Sequence, residues 1–495
     1  SAWRESGSRG AAGGHGGTTM MRGPVGERRT PSIPLGRQPH GQSRLEQHTQ
    51  EVLRHCQTSG TQLVRFLYCG NDSVIRGKAC HVRFLESYVR SGIGLTVAMQ
   101  SFNMLDQLVP EGSFGPVGEI RLVPDLDTFA LLPYAPRSAR LLCDMVTLEG
   151  EPWDACPRGF LRRMIERARG SGVTLKAAFE NEFTLARREG ERYVPIDRSP
   201  CFSTIGMDSA APVISEIVET LMAQGVEPEQ YYAELGPGQQ ELPVRFADAL
   251  RAADNQLTVR ETARGVAGKH GLLASFAPKP FPDQAGNGSH VHLSLWRLKD
   301  GKNHFHDPKG RYGLSEAALG FVGGVLAHLP GLCALTAPSV NSYRRLQPRF
   351  WSSAYTAWGP DNREAAVRVP SKRRGLEMES TNLELKPCDP SCNPYLALGG
   401  VLAAGLDGIA RKRDPGEPAL VDPDALSSRE RERRGIRRLP ASLGEALDAL
   451  ERDEVLMAAL GHVLAKEYLA VKRSEVRAFE GMDVHFEIEH HFYKY

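Results

Sequence analysis

The sequence predicts an α+β fold in two parts, a small, mainly β part and a larger one in which strands alternate with long helices. Three observations predict it. Short strand-like runs set among Gly and Pro occupy residues 63–145; stretches of helical periodicity recur beyond Pro157; and between those helices lie strands with chemically opposite faces. The clearest is 286–295, GNGSHVHLSL, a turn feeding a strand in which alternation sets His290, His292 and Ser294 against Val291, Leu293 and Leu295. Alone it would be a half-exposed strand that happens to carry histidines. Other segments repeat the device with carboxylates and arginines.

At 495 residues, 41% hydrophobic and 24% charged, the chain can bury a large core and forms more than one domain. A net charge of +2 gives no reason to expect nucleic acid or an anionic membrane as partner, and no apolar run reads as a bilayer span. Nine cysteines at scattered spacings, none in a CxxC pair, point to reduced thiols in a cytoplasmic protein.

Residues 1–42, rich in Gly, Arg, Ser and Pro and holding Met20-Met21, read as a disordered leader or start-site extension; their basic residues accompany no apolar segment of a secretory signal. A short helix is expected near 43–57, then strands at 63–68 and 78–82 around a polar turn, and further strands at 120–124 and 139–145. The first domain is therefore 43–152 and the second 153–495. After Pro157, the spacing of Phe160, Leu161, Met164, Ile165 and Ala168 marks the buried stripe of a helix that Gly170 and Gly172 stop. Amphipathic helices are expected at about 208–224, 244–269, 315–335, 394–411 and 443–468, without internal repeats.

The polar-faced strands carry the chemistry. In AAFENEF, 177–183, Glu180 and Glu182 share a face while Phe179 and Phe183 take the other. Paired carboxylates repel, and a divalent cation with a preference for oxygen removes the repulsion. Residues 234–241, ELGPGQQE, set Glu234 and Glu241 at the two ends of a tight turn so that both can converge; a hairpin with solvated glutamates is the plainer reading. Residues 382–387, NLELKP, set Glu384 and Lys386 opposite Leu383 and Leu385, and the segments 341–346 and 362–370, both with strand character, add arginines suited to carboxylate and phosphate. Together these suggest a cavity lined by Glu, His and Arg for metal-assisted phosphoryl transfer. There is no GxxxxGK[ST] loop, so a nucleotide would be held by metals and arginines.

In this order the motifs ExE at 180–182, 234–241, GNGSHVH at 286–292, NSYRRLQP at 341–348, NREAAVRVP at 362–370 and ELKPCDPSCNPYL at 384–396 resemble the glutamine synthetase family, from about Leu63 onward. The resemblance implies an N-terminal β-grasp domain, a C-terminal catalytic domain whose curved antiparallel sheet forms a funnel flanked by helices, and a homo-oligomer of stacked rings, typically a dodecamer, with active sites between neighbours. It implies ATP and two or three Mg2+ or Mn2+ ions per site. Glu182, Glu234 and Glu241 would hold one ion and Glu180, His290 and Glu384 another. Arg363 would stabilise the γ-phosphate, Arg368 would stand near the phosphates, and His292 and Ser294 near the nucleotide. Arg345 and Gly286 would grip glutamate, with Lys386 standing where many members have arginine. The implied reaction forms γ-glutamyl phosphate, which an amine or ammonia then attacks, an activity of nitrogen metabolism.

Two departures bear on that nitrogen. Ammonia-using members carry a glutamate six residues beyond the arginine matching Arg345, where this chain has Trp351, and the aspartate that binds ammonium aligns with Gly70, although Asp72 lies close by. An aromatic wall suits an organic amine. The tyrosine-centred adenylylation motif has no counterpart in 406–438. The expected activity is a glutamate–amine ligase; the alternatives are a true glutamine synthetase using ammonia, an inactive structural ring, disfavoured because all six ligand positions are filled, and phosphotransfer to another acceptor.

Overall fold

Strand-forming runs from both parts of the chain are gathered into two sheets in the computed structural model, which describes residues 39–495. The leader expected at 1–42 lies outside the described residues but for its last few, which belong to a helix, Pro39–Thr58. The first sheet holds Ile75–His81, Leu63–Cys69, Ser138–Val146, Glu119–Leu131 and Ile93–Thr96 in that spatial order. Leu63–Cys69 and Ser138–Val146 run parallel at its centre and all other neighbours are antiparallel, the expected β-grasp arrangement. Alternation divides its side chains between two cores. Val64, Phe66, Leu141 and Cys143 pack with Val52, Cys56, Leu85 and Val89 of two helices, whereas Leu67, Cys69 and Leu142 face the main core of the molecule.

The second sheet is ten-stranded and almost wholly antiparallel, running Trp358–Pro360, Val367–Val369, Leu383–Leu385, Val291–Arg297, Val173–Glu189, Gln239–Pro243 and Tyr232–Ala233. Three further short strands pair with Val173–Glu189 off that path. This 17-residue strand organises the sheet. Its first half pairs with Val291–Arg297 and its second half, from Glu180, with Gln239–Pro243.

Helices cover the sheet's apolar face. Glu316–Thr336 and Pro394–Ala410 approach closely at glycines: a Cβ on Gly324 would lie 2.2 Å from the Ala404 carbonyl and one on Gly408 2.1 Å from that of Gly320. Glu316–Thr336 is long and apolar enough to cross a bilayer, against the expectation of no such run, but 78% of its apolar window is buried inside the protein. Asn393 caps Pro394–Ala410, accepting from the Tyr395 amide, and donates to the carbonyls of Cys69 and Gly70, tying the first sheet to the second part of the chain.

Three expectations need correction. The single helix expected at 443–468 is three, Leu443–Arg452, Glu454–Leu460 and His462–Phe479, because Asp453 caps the second and Gly461 takes φ 81° between the second and third. The strand expected around 341–346 is a short helix, Ser342–Arg345, whose residues satisfy their own backbone and leave Arg345 buried. Strand structure within 362–370 is confined to Val367–Val369.

A buried ionic cluster also fastens the two sheets' surroundings. Arg158, on Pro157–Gly170, is 3% exposed and donates to Asp125 and Asp144 of the first sheet at 2.8 and 3.0 Å and to Asp254 of helix Ala249–Lys269 at 2.9 Å; the Tyr395 hydroxyl donates to Asp254 at 2.6 Å. Removing the cation strands carboxylates away from water. Arg158→Met is therefore expected to lower the unfolding free energy by about 3–5 kcal/mol, read by urea denaturation, with Arg158→Lys retaining part of the loss.

Candidate active site

The partner exchange of Val173–Glu189 at Glu180 brings three of the six expected ligands, Glu180, His290 and Glu384, within reach of one ion. Alternation turns Glu180 and Glu182 to one face, and the turn before Val291–Arg297 is bonded to them: the Glu180 amide donates to the His290 carbonyl at 2.9 Å and the Glu182 amide to that of Gly288 at 3.2 Å. Across the sheet, Glu384 lies opposite His292 and Arg368 in register. As a result one ligand atom each from Glu180, His290 and Glu384 falls within 4.8 Å of the others. His290 Nδ1 lies 3.2 Å from Glu180 and 3.4 Å from Glu384.

The charges suit metal binding. Burial, aided by Lys386, holds His290 down at about 4, so its ring is neutral; Arg345 Nη2, which can only donate, sits 3.1 Å from Nε2 and makes that nitrogen the acceptor. Burial works against ionising Glu384, but Lys386, His290 and His292 outweigh it and bring the carboxyl to about 2. Lys386 and Arg368 reach its two oxygens at 3.4 and 2.5 Å.

Glu182 faces Glu241 directly across the ladder. Its Oε2 accepts from the Gln239 side chain at 2.7 Å and the Gly288 amide at 2.8 Å, yet burial lifts it to about 7 against the pull of Arg345. Burial, then Glu182 and Glu180, lift Glu241 to about 10, although the Tyr232 hydroxyl donates to it at 2.6 Å. Glu234 adds to this crowding from beside the turn, accepting from the Leu235 amide at 2.8 Å with Cys201 Sγ at 3.8 Å. Buried carboxylates that raise one another with no cation between them, joined by one imidazole, are a donor set that fits Mg2+ or Mn2+. The backbone leaves room for it: a Cβ on Gly288 would lie 2.5 Å from Arg345 Nη2, 2.9 Å from Glu182 Oε1 and 3.0 Å from His290 Nε2.

A cavity of about 230 Å³ adjoins this cage on the side of Glu180, His292 and Ser294, the expected nucleotide residues. His292 bonds Glu180 at 2.9 Å and Asn382 at 2.8 Å, and the Glu180 charge overrides burial to push it up to about 9. Phe246 and Arg373 also line this cavity, and neither was expected. Lys176 lines it as well, its ammonium 5.7 Å from the Phe246 ring and 4.5 Å from that of Trp296 just behind. Trp296 was within reach of the sequence, because it continues the His290, His292, Ser294 alternation by one step. Phe246 and Arg373 come from loops and carried no periodic signal.

The remaining candidates divide. Arg345 and Lys386 are buried against the cage. Gly286 is beside Arg345, 3.4 Å separating a would-be Cβ from its Cγ. Arg363 is exposed and lines a second cavity, of about 370 Å³, with Trp351, Glu364, Leu420, Val421 and Asp422. Trp351 is 62% exposed, holds φ 55° and donates its amide to Glu364 at 2.8 Å. Gly70 follows the strand Leu63–Cys69, and nearby Asp72 is 1% exposed and engaged by Arg76 at 2.6 Å and the Val74 amide at 3.1 Å.

Comparison with known proteins agrees with this geometry. Residues 48–153 match the glutamine synthetase N-terminal domain and 154–491 the glutamine synthetase catalytic domain. The chain is similar to the γ-glutamylpolyamine synthetase GlnA3 of Streptomyces coelicolor, 39% identical over 86% of this chain and 91% of that one. It is also similar to the glutamine synthetase of Thermus thermophilus, 41% identical over 72% of this chain and 81% of the relative. Among solved structures, a novel glutamine synthase homologue superposes with a TM-score of 0.79 at 37% identity, covering 88% of this chain and 99% of its own. GmaS in complex with ADP gives 0.77 at 32%, covering 88% and 98%.

The two halves of the cage are expected to respond oppositely to neutralisation. In protein stripped of metal at neutral pH, Glu241→Gln removes a carboxyl that must take up a proton to be buried and so raises the Tm, while Glu384→Gln deprives Arg368 and Lys386 of their partner and costs about 3–5 kcal/mol. Both substitutions shrink the rise in Tm on adding Mg2+, measured by scanning calorimetry.

Proposed function

The chain belongs to the glutamine synthetase family, and from that membership we propose that it is an ATP-dependent ligase joining the side-chain carboxylate of L-glutamate to an organic amine. The observation that carries the choice of amine is Trp351 and its surroundings. A cavity of about 370 Å³ lined by Trp351, Leu420 and Val421 and by Asp361, Glu364 and Asp422, whose charges outnumber that of Arg363 beside them, offers apolar surface and net negative charge, which together suit an alkylammonium ion larger than ammonium. The γ-glutamylpolyamine synthetase relative supports the same reading.

In this reading His292, Ser294, Phe246 and Trp296 hold the nucleotide, and Arg345 with the backbone at Gly286 holds glutamate. Glu182, Glu234 and Glu241, and Glu180, His290 and Glu384, would hold Mg2+ or Mn2+, which would supply charge neutralisation to the phosphates. Arg363 and Arg368 meet the charge of the transferring phosphoryl group, and Lys386 keeps Glu384 ionised. The glutamate carboxylate oxygen bonds to the γ-phosphorus as ADP leaves; the amine nitrogen then bonds to the acyl carbon, phosphate departs, and the amine's proton passes to solvent or a nearby carboxylate. The pairing of Asp72 with Arg76 supports this reading, because it occupies the carboxylate that lies near the position of the family's ammonium-binding aspartate. We further assign the domain boundary to 152/153, the assembly to stacked rings forming a dodecamer, and the location to the cytoplasm.

The second reading, a glutamine synthetase using ammonia, draws on the similarity to the Thermus thermophilus enzyme. A panel of ammonium, alkylamines, polyamines, ethanolamine and aromatic amines, offered with glutamate and ATP while phosphate release is followed, separates the two. An organic amine is expected to give a kcat/KM at least about tenfold above ammonium, and Trp351→Glu to move that ratio toward ammonium by a similar factor. Ammonium matching the best amine in the unaltered enzyme decides for glutamine synthetase.

A further inference from the structure

Lys279 is a buried cation that no role described above employs. It is 2% exposed, and its Nζ has no hydrogen-bond partner among the described residues. An ammonium withdrawn from water without a partner is unfavourable, so its placement calls for a ligand or a compensating contact. The contact present is weak: the Phe350 ring, with its centroid 4.5 Å from Nζ. Phe350 is itself 52% exposed, on a loop where Arg349, Trp351 and Ser353 all take positive φ.

The lysine is mounted firmly. Its amide donates to Asn341 Oδ1 at 2.6 Å and its carbonyl accepts from Asn341 Nδ2 at 3.2 Å, so its main chain is clamped to the residue that precedes the short helix carrying Arg345. Its stem runs beside Gly286. A Cβ built on Gly286 would meet Lys279 Cδ at 3.2 Å and Arg345 Cγ at 3.4 Å. The stems of two cationic side chains thus flank one glycine; Arg345 is the like charge acting on Lys279 and Asp283 the opposite one, without a hydrogen bond to Nζ. Such a pair is stabilised by an anion lying between them.

We propose that Lys279 contacts the α-carboxylate of glutamate together with Arg345, and that the Phe350 ring occupies the lysine's free face until substrate displaces it. This rests on the ligase reading above, in which Arg345 and Gly286 grip glutamate. The γ-carboxylate is committed to the phosphoryl group, so the α-carboxylate is the anion left for the paired cations. Phe350 precedes Trp351, so occupation of the glutamate site and the wall of the amine cavity move on one loop.

The test is calorimetric titration of the full chain with glutamate, in the presence of Mg2+ and a non-hydrolysable ATP analogue, for the unaltered protein and for Lys279→Met. The variant is expected to bind glutamate at least about tenfold more weakly. 4-Aminobutyrate, which keeps the reacting carboxylate but lacks the α one, is expected to bind both proteins alike. Nucleotide affinity should change less than about twofold, and the Tm of the variant without ligands should be equal or higher, because an unpartnered buried charge has gone. Glutamate affinity within about threefold of the unaltered protein overturns the proposal. So does a joint fall in Tm and nucleotide affinity, which would make Lys279 a structural residue. If the unaltered protein binds nucleotide but no glutamate, the ligase reading fails and this proposal with it.

Discussion

Repulsion among buried carboxylates is the constraint on which the rest of this structure depends. Glu180, Glu182 and Glu241 sit on adjacent strands with faces fixed by the pleat, and none can turn away without breaking the ladder. The backbone bonds from the Glu180 and Glu182 amides to the His290 and Gly288 carbonyls lock the same strand to the glycine-rich turn. The fold thereby holds unfavourable charge in place, and a divalent cation is the species best able to relieve it.

Around that cluster the cations are distributed unevenly. Glu384 lies against Lys386, His290 and His292, which outweigh its burial and keep it ionised, whereas burial dominates at Glu182 and Glu241 and both rise. Arg345 lies between the two groups, reaching His290 on one side and the Cys388 carbonyl on the other. Lys386 in place of arginine keeps the charge with a single donor group, and its near-complete burial leaves it little freedom beyond Glu384.

Outside the cage, loops supply most of the cavity proposed for the amine. Trp351 and Phe350 stand on a segment with left-handed backbone at three positions, a conformation that costs energy for non-glycine residues and is maintained by bonds such as that from the Trp351 amide to Glu364. The first sheet supplies no ligand to the cage within the subunit. It is fastened through Asn393 and the Arg158 cluster, and Gly70 and Asp72 lie at that junction.

The amino-acid sequence determined the polar-faced strands, because a period of two assigns each side chain to a face before any tertiary contact exists, and the order of the motifs sufficed to indicate the family and the triad Glu180, His290 and Glu384. Local pattern could not determine which caps would win, so the helix around 443–468 proved to be three and the arginine-bearing 341–346 proved to be a helix. Tertiary structure alone decided that Phe246 and Arg373 join the His292 cavity, that Asp72 is taken by Arg76, and that Lys279 is buried beside Arg345 without a partner. The physical reason is the same in each case: periodicity reports the direction of a side chain relative to its own backbone, whereas pairing, burial and charge balance depend on segments far apart in the chain that only packing brings together.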